Sequence, residues 1–145
     1  MPLTCRGLRF PKDPNILTGR AKRLLRNGTY EYKEAAALLK VLKRGDIVLE
    51  LGGGLGFMSS LAARHGASHV TIIEANPRLL DYIAQVHAAN DITGVTRHHG
   101  LASTQDGPDK SFYVRRNFLA SSLDPRSDSG VIEATISVPQ IGLSG

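Results

Sequence analysis

The sequence predicts an α/β fold: a Rossmann-like parallel sheet with flanking helices, the first half of a doubly wound architecture, followed by a C-terminal antiparallel β-hairpin. Three observations carry this. Apolar β-branched runs alternate with helical periodicity between residues 31 and 99. A glycine cluster, Gly52–Gly56, joins the first such run to the helix after it. Beyond residue 100 the helical period gives way to two β-rich stretches separated by turn-forming residues. Strands alternating with helices through tight connections imply parallel pairing and right-handed crossovers.

Residues 1–29 contain Pro2, Pro11, Pro14, Gly7, Gly19 and Gly28 with no sustained period, so they read as a basic, loop-rich leader with a short helix around Ala21–Arg26. Residues 30–145 form the predicted domain. From Glu31, Ala35, Leu38, Leu39 and Leu42 follow the spacing of one buried helix face. Gly45 and Asp46 end that helix and open a strand, Ile47–Leu51, whose apolar run suits a strand covered on both faces. A helix from Phe57 to His65 closes at Gly66, and His69–Glu74 is a second buried strand. Asn76 caps the next helix with Pro77 at its first position, and Leu79, Ile83, Val86 and Asn90 trace its inner side. A third strand, Val95–His99, follows. Ser111–Leu119 and Val131–Val138 are the expected hairpin strands, with Asp124–Gly130 as the turn.

Composition narrows the function classes. With 145 residues the chain can bury a core without crosslinks. Cys5 is the only cysteine, which excludes an internal disulfide framework and a multi-cysteine metal site. One thiol and no secretory-type apolar stretch at the N-terminus lead to a cytoplasmic expectation, and no apolar run reaches the ~20 residues needed to span a bilayer, so no membrane association is expected. Aromatics at 6% and the absence of Trp exclude a large stacking platform for single strands. Residues 1–44 hold eleven Lys/Arg against three acids, a net +8, while the rest of the chain sums to −3. No nucleic-acid motif accompanies these charges, so the arm reads as a solvated leader and nucleic acid is not expected as a partner.

The chemistry concentrates at Glu50-Leu51-Gly52-Gly53-Gly54-Leu55-Gly56. Glycines allow a tight turn and let a ligand press against backbone N–H groups, and the following helix aims its positive end at the same spot. Glu74 falls 22 residues after Gly52, at the tip of the next strand, where an acid can accept hydrogen bonds from both ribose hydroxyls of a nucleoside. The dinucleotide fingerprint fits poorly, because Phe57 or Ser59 stands where its third small residue belongs. No Gly-Lys-Ser/Thr of a Walker loop exists. The spacing fits E-x-G-x-G-x-G, and an acid beside the turn suits a cationic ligand better than a pyrophosphate.

On these residues, with Gly28-Thr29-Tyr30-Glu31 and Ile73-Glu74-Ala75-Asn76-Pro77, the chain resembles the class I S-adenosylmethionine-dependent methyltransferases, and most of all the FkbM-type family, over about residues 28–139. The resemblance implies S-adenosyl-L-methionine as cofactor, held by Glu50, Gly52, Gly53, Gly54 and Gly56 at the methionine moiety, Glu74 at the ribose and Leu101 near the adenine, with Ala75 also among the cofactor-binding residues. It implies O-methylation of a small-molecule or sugar hydroxyl. The general base is not identifiable, and no metal is expected. A class I domain has seven strands, so the chain is expected to be the N-terminal part of a longer methyltransferase, inactive alone. An exposed sheet edge, available for homo-oligomer formation, is expected with it.

Two other classes compete with this reading. They are an NAD(P)-binding oxidoreductase half-domain and a non-catalytic nucleotide-binding or scaffold module. Blander roles compete residue by residue. The glycines also serve close packing, Glu74 could be a solvated strand-end acid, and Tyr30 and Glu31 could close over the cofactor or merely start a helix. His98 and His99 point to opposite faces of a strand and so do not share a metal. His65 and His87 read as polar surface groups, and Cys5 as inert.

Overall fold

The computed structural model describes residues 2–103, 107–115 and 132–142. Residues 2–29, expected to be loop-rich, are ordered into the core instead. Strands β1 (Leu3–Cys5) and β2 (Leu8–Phe10) pair antiparallel across Arg6-Gly7, both at positive φ (50° and 79°), the conformation a two-residue hairpin turn demands. Helix α1 (Gly19–Asn27) starts where Thr18 Oγ1 accepts from the Ala21 amide at 3.2 Å. It ends at Gly28 in the left-handed region, with the Thr29 amide donating to the Leu24 carbonyl. Leu8, Phe10, Ile16, Leu17, Ala21 and Leu25 are all buried in the main apolar cluster.

The hairpin is fastened to the domain by long-range polar contacts. The Arg9 amide donates to Asn90 Oδ1 at 2.7 Å, and Asn90 Nδ2 donates to the Arg9 carbonyl at 2.8 Å, as a neighbouring strand would. Tyr82 Oη donates to the Pro11 carbonyl and Arg64 to that of Gly7. Asn90 is therefore not only a point on a helix face. Its amide replaces a missing ladder.

Next come α2 (Tyr32–Val41), β3 (Ile47–Leu51), α3 (Phe57–Arg64), β4 (His69–Glu74), α4 (Pro77–Ala89) and β5 (Val95–His99). The three strands form a parallel sheet in the order β3-β4-β5, in register at Val48–Val70 and Val70–Val95. Asn76 Oδ1 caps α4 through the Arg78 amide at 3.0 Å, ahead of Pro77. Leu79, Ile83 and Val86 are buried on its inner face. Val70 and Ile72 of β4 pack with Ala62 of α3 and Ile83 of α4, with Val48 and Leu38 against them.

Strand β3 departs from expectation. It is covered on one face only: Ile47, Leu49 and Leu51 are 80%, 50% and 54% exposed. The alternate residues Val48 and Glu50 turn toward the helices, and β3 is an edge strand among the described residues. An apolar run cannot by itself tell a doubly covered strand from a singly covered one.

After β5 the chain forms a second sheet from β6 (Leu101–Ser103), β7 (Gly107–Arg115) and β8 (Ile132–Gly142), ordered β6-β8-β7. β7 and β8 are the expected antiparallel pair, shifted toward earlier and later residues respectively. β6, which the sequence does not announce, joins β8 in parallel. The expected turn Asp124–Gly130 lies outside the described residues. No helix among the described residues is long and apolar enough to cross a membrane.

Candidate functional site

A cleft of about 550 Å³ opens at the carboxyl ends of β3 and β4, the place where parallel sheets with helical crossovers bind ligands. Its floor is the glycine turn. The Gly52 amide donates to the Ile73 carbonyl at 2.8 Å and extends the ladder by one bond, after which Gly52, Gly54 and Gly56 adopt φ of 83°, 54° and 80°. Those angles are strained for any residue with a Cβ. Gly53 is needed for a different reason. A Cβ there would run into Ile83 Cδ1 and lie 2.9 Å from Ile72 Cγ2.

Glu74 ties the turn to β4. Its Oε1 accepts from the Gly53 amide at 2.8 Å and its Oε2 from the Asn76 amide at 2.9 Å, and the residue is 7% exposed. A carboxylate offers about four lone-pair directions, so acceptor capacity remains toward the cleft. The carboxylate is thus anchored by the backbone it helps to shape.

Of the residues the sequence nominated, Gly52, Gly54, Glu74, Ala75 and Leu101 line the cleft. Gly53 and Gly56 lie behind it and serve packing, Gly56 against Ile83 and Val86. Glu50 faces a smaller groove of about 260 Å³, with Leu38, Val48 and Met58. Its Oε1 is buried with no hydrogen-bond partner. Burial first, then the charges of Glu31 and Glu74, push its carboxyl up to about 8.

Tyr30 and Glu31, left open between two roles, both line the cleft. Tyr30 is buried, with its ring edge-on to Phe57 at 5.6 Å between centroids. Burial and then Glu31 raise its hydroxyl well above the usual phenol range. Glu31 starts α2 at a positive φ of 45° with no side-chain cap, so its backbone geometry is not there to stabilise the helix. Burial and then Glu34 raise its carboxyl. Leu51, Ile73, Asn76, Leu79, Gly100 and Ala102 complete the wall and were not nominated as cofactor contacts. Asn76 had a signal, its capping position two residues past Glu74. Gly100 and Ala102 depend on the β5–β6 turn and had none.

His87 corrects a surface assignment. It is 2% exposed, with Nε2 2.9 Å from Ser59 Oγ and Nδ1 3.0 Å from Arg97 Nη1. Arginine only donates, so Nδ1 accepts, Nε2 carries the proton, and Ser59 Oγ can pass its own to the Gly56 carbonyl at 3.2 Å. Burial and then Arg97 lower the imidazole to about 4. The chain of bonds runs from β5 to the glycine turn. His98 is exposed, and His99 Nε2 meets the Ala75 carbonyl at 3.0 Å. No group of three metal-ligating side chains occurs among the described residues. Cys5 is buried and its thiol is raised by that burial.

A parallel sheet with crossover helices and an acid-flanked glycine turn resembles the fold of the class I S-adenosylmethionine-dependent methyltransferases. Among solved structures the chain is similar to Trm5b of Pyrococcus abyssi, with a TM-score of 0.52 at 23% identity over 66% of this chain and 26% of that one. It also resembles the "putative RNA methyltransferase PH1948" of Pyrococcus horikoshii, with a TM-score of 0.45 at 20% identity over 51% and 37% of the two chains. A probable protein arginine N-methyltransferase 3 of Arabidopsis thaliana is 29% identical over 73 residues, 50% of this chain. The chain spans only 12% of that plant relative's length. No family model matches, and nothing in these likenesses singles out the FkbM-type subfamily.

These likenesses correct the expectation about partners. A small-molecule acceptor, with nucleic acid set aside, is not what they support: the curated relative is by name a protein arginine methyltransferase, and the solved structures include Trm5b.

Proposed function

We propose that the cleft binds S-adenosylmethionine and that the chain is the cofactor-binding part of a methyltransferase with a macromolecular acceptor. The observation that carries this reading is Glu74. It is a carboxylate buried at the tip of β4, oriented by two backbone amides and facing a turn whose glycines leave main-chain groups accessible. Glu74 accepts the ribose hydroxyls in this reading, and Ala75 and Leu101 flank the base. Gly52 and Gly54 admit the methionine moiety. Glu50 opens on the neighbouring groove beside the turn, with one oxygen lacking a partner, and makes no contact in the cleft itself. The donor set fits a cation-bearing nucleoside, since acids surround the turn and, among the described residues, no basic side chain lines the cleft.

When bound, the cofactor supplies an electrophilic methyl group on a sulfonium, whose sulfur keeps the bonding electron pair as the methyl leaves. The chain's own part is to hold that methyl in a fixed direction, the source of much of the acceleration in such displacements. Tyr30 and Phe57 pack tightly beside the turn and limit water on that side.

Calorimetry with S-adenosylhomocysteine and, separately, NAD tests the reading. Binding of the first and not the second is expected. Glu74→Ala should weaken it by about 1–3 kcal/mol, the worth of a charge-assisted hydrogen bond. Preference for NAD, or no nucleoside binding, would overturn the assignment.

A further inference from the structure

Helix α1 carries Arg20, Lys22, Arg23 and Arg26, and no acidic residue occurs anywhere from Pro14 to Tyr30. Arg20, Arg23 and Arg26 are exposed, while Ala21 and Leu25 face the core. At about 100° per residue, the three arginines fall within an arc of roughly 120° on the solvent side. This arrangement works against the helix. Like charges three residues apart repel, and Arg20 in the first turn opposes the helix dipole, although Arg26 in the last turn suits it. A stripe of charge that costs the helix stability points to an anion outside the chain.

Its position adds a second, independent observation. Gly28 stops α1, and two residues later Tyr30 and Glu31 form part of the cleft wall. Beside them Tyr32 is 48% exposed, an unusual state for a large aromatic side chain, with Lys33 Nζ 5.9 Å from its ring centroid. Guanidinium forks suit phosphate oxygens, and an exposed aromatic ring flanked by a cation suits a nucleobase. An acidic peptide would use the charges and leave Tyr32 without a purpose.

We propose that the solvent face of α1, with Tyr32 at the start of α2, is an RNA-docking surface that carries the phosphate backbone past the mouth of the cleft. The proposal rests on the cofactor reading above and names its acceptor class. Arg20, Arg23 and Arg26 hold successive phosphates, and Tyr32 stacks a base close to the cleft.

The test is fluorescence anisotropy of the chain with a labelled stem-loop RNA of about 25 nucleotides across a salt series, with polyglutamate as competitor. Each phosphate contact contributes about 0.7–0.9 to the slope of log affinity against log salt. The Arg20→Gln/Arg23→Gln/Arg26→Gln variant should therefore lose about 2–3 from that slope and bind at least tenfold more weakly at 0.1 M salt. Glutamine is a good helix former, so α1 should persist by circular dichroism. Tyr32→Ala should cost about tenfold with the slope unchanged. Affinity for S-adenosylhomocysteine should not change in either variant. RNA binding of wild type and triple variant with the same slope would overturn the surface, as would displacement of RNA by equimolar polyglutamate. A chain that binds RNA as described but not S-adenosylhomocysteine would overturn the cofactor reading instead.

Discussion

Glu50→Gln keeps the shape of a side chain that the fold holds uncharged, and removes its capacity to ionise. In the folded chain the carboxyl is raised from 4.5 to about 8, by burial first, then by Glu31 and Glu74. A folded value above the unfolded one means that the native state holds an extra proton between those two pH values. The stabilisation it brings is complete below about 4.5 and is lost as pH rises through 8. At about 1.4 kcal/mol per pH unit the ceiling is roughly 5 kcal/mol, and about half of that survives once water reaching the groove is allowed for. Either figure is a large part of the about 5–15 kcal/mol that stabilises an ordinary domain. Urea unfolding at pH 5, 7 and 9 measures it. The variant and wild type should differ little at pH 5, and the variant should gain steadily to about 2–5 kcal/mol at pH 9. A difference that stays constant with pH would refute the reasoning, because it would show that Glu50 does not titrate between its unfolded and folded values.

Three other outcomes follow from the geometry. Gly53→Ala places a methyl group against Ile72 and Ile83 and should cost about 1–3 kcal/mol in thermal or urea unfolding, unlike a substitution at the open Gly19. Asn90→Ala strips the Arg9 amide and carbonyl of their partners and should cost about 1–3 kcal/mol, with faster amide exchange confined first to β1 and β2. In nitrogen NMR His87 should remain in its Nε2–H neutral form down to about pH 4. Because its folded value lies below the ordinary 6.5, it contributes stability above 6.5 that disappears as pH falls through 4.

The parts of the fold legible in the sequence are those with local causes. Ile47–Leu51 lies between Asp46 and Gly52, Val95–His99 between Gly94 and Gly100, and His69–Glu74 is an apolar, β-branched stretch that ends two residues before the capping Asn76; all three strands occupy those residues. Asn76-Pro77 marks the start of α4 because capping is a two-residue affair. The glycine turn and Glu74 could be placed together because strand, turn, helix and strand leave a parallel sheet only one arrangement. What escaped has causes elsewhere in the chain. Three-residue strands such as β1, β2 and β6 are too short to show a period, and their burial comes from partners dozens of residues away. His87 looked like a helix-end polar group because Ser59 and Arg97, which hold it, lie on α3 and β5. Glu50 has the expected place in the motif, yet its side chain turns toward Leu38 and Met58, a direction set by strand alternation and helix packing together.

The clasp between Arg9 and Asn90 also orders events in time. Its two halves stand 81 positions apart, so closing it requires α4 to exist before the first hairpin can be secured. At synthesis rates of about 5–20 residues per second, β1 and β2 emerge roughly 4–16 s ahead of the amide that completes them. During that interval Leu8 and Phe10, both fully covered in the finished domain, lack α4. The hairpin is therefore locked only after α4 has formed, and its exposed apolar pair is where a chaperone would have most to do.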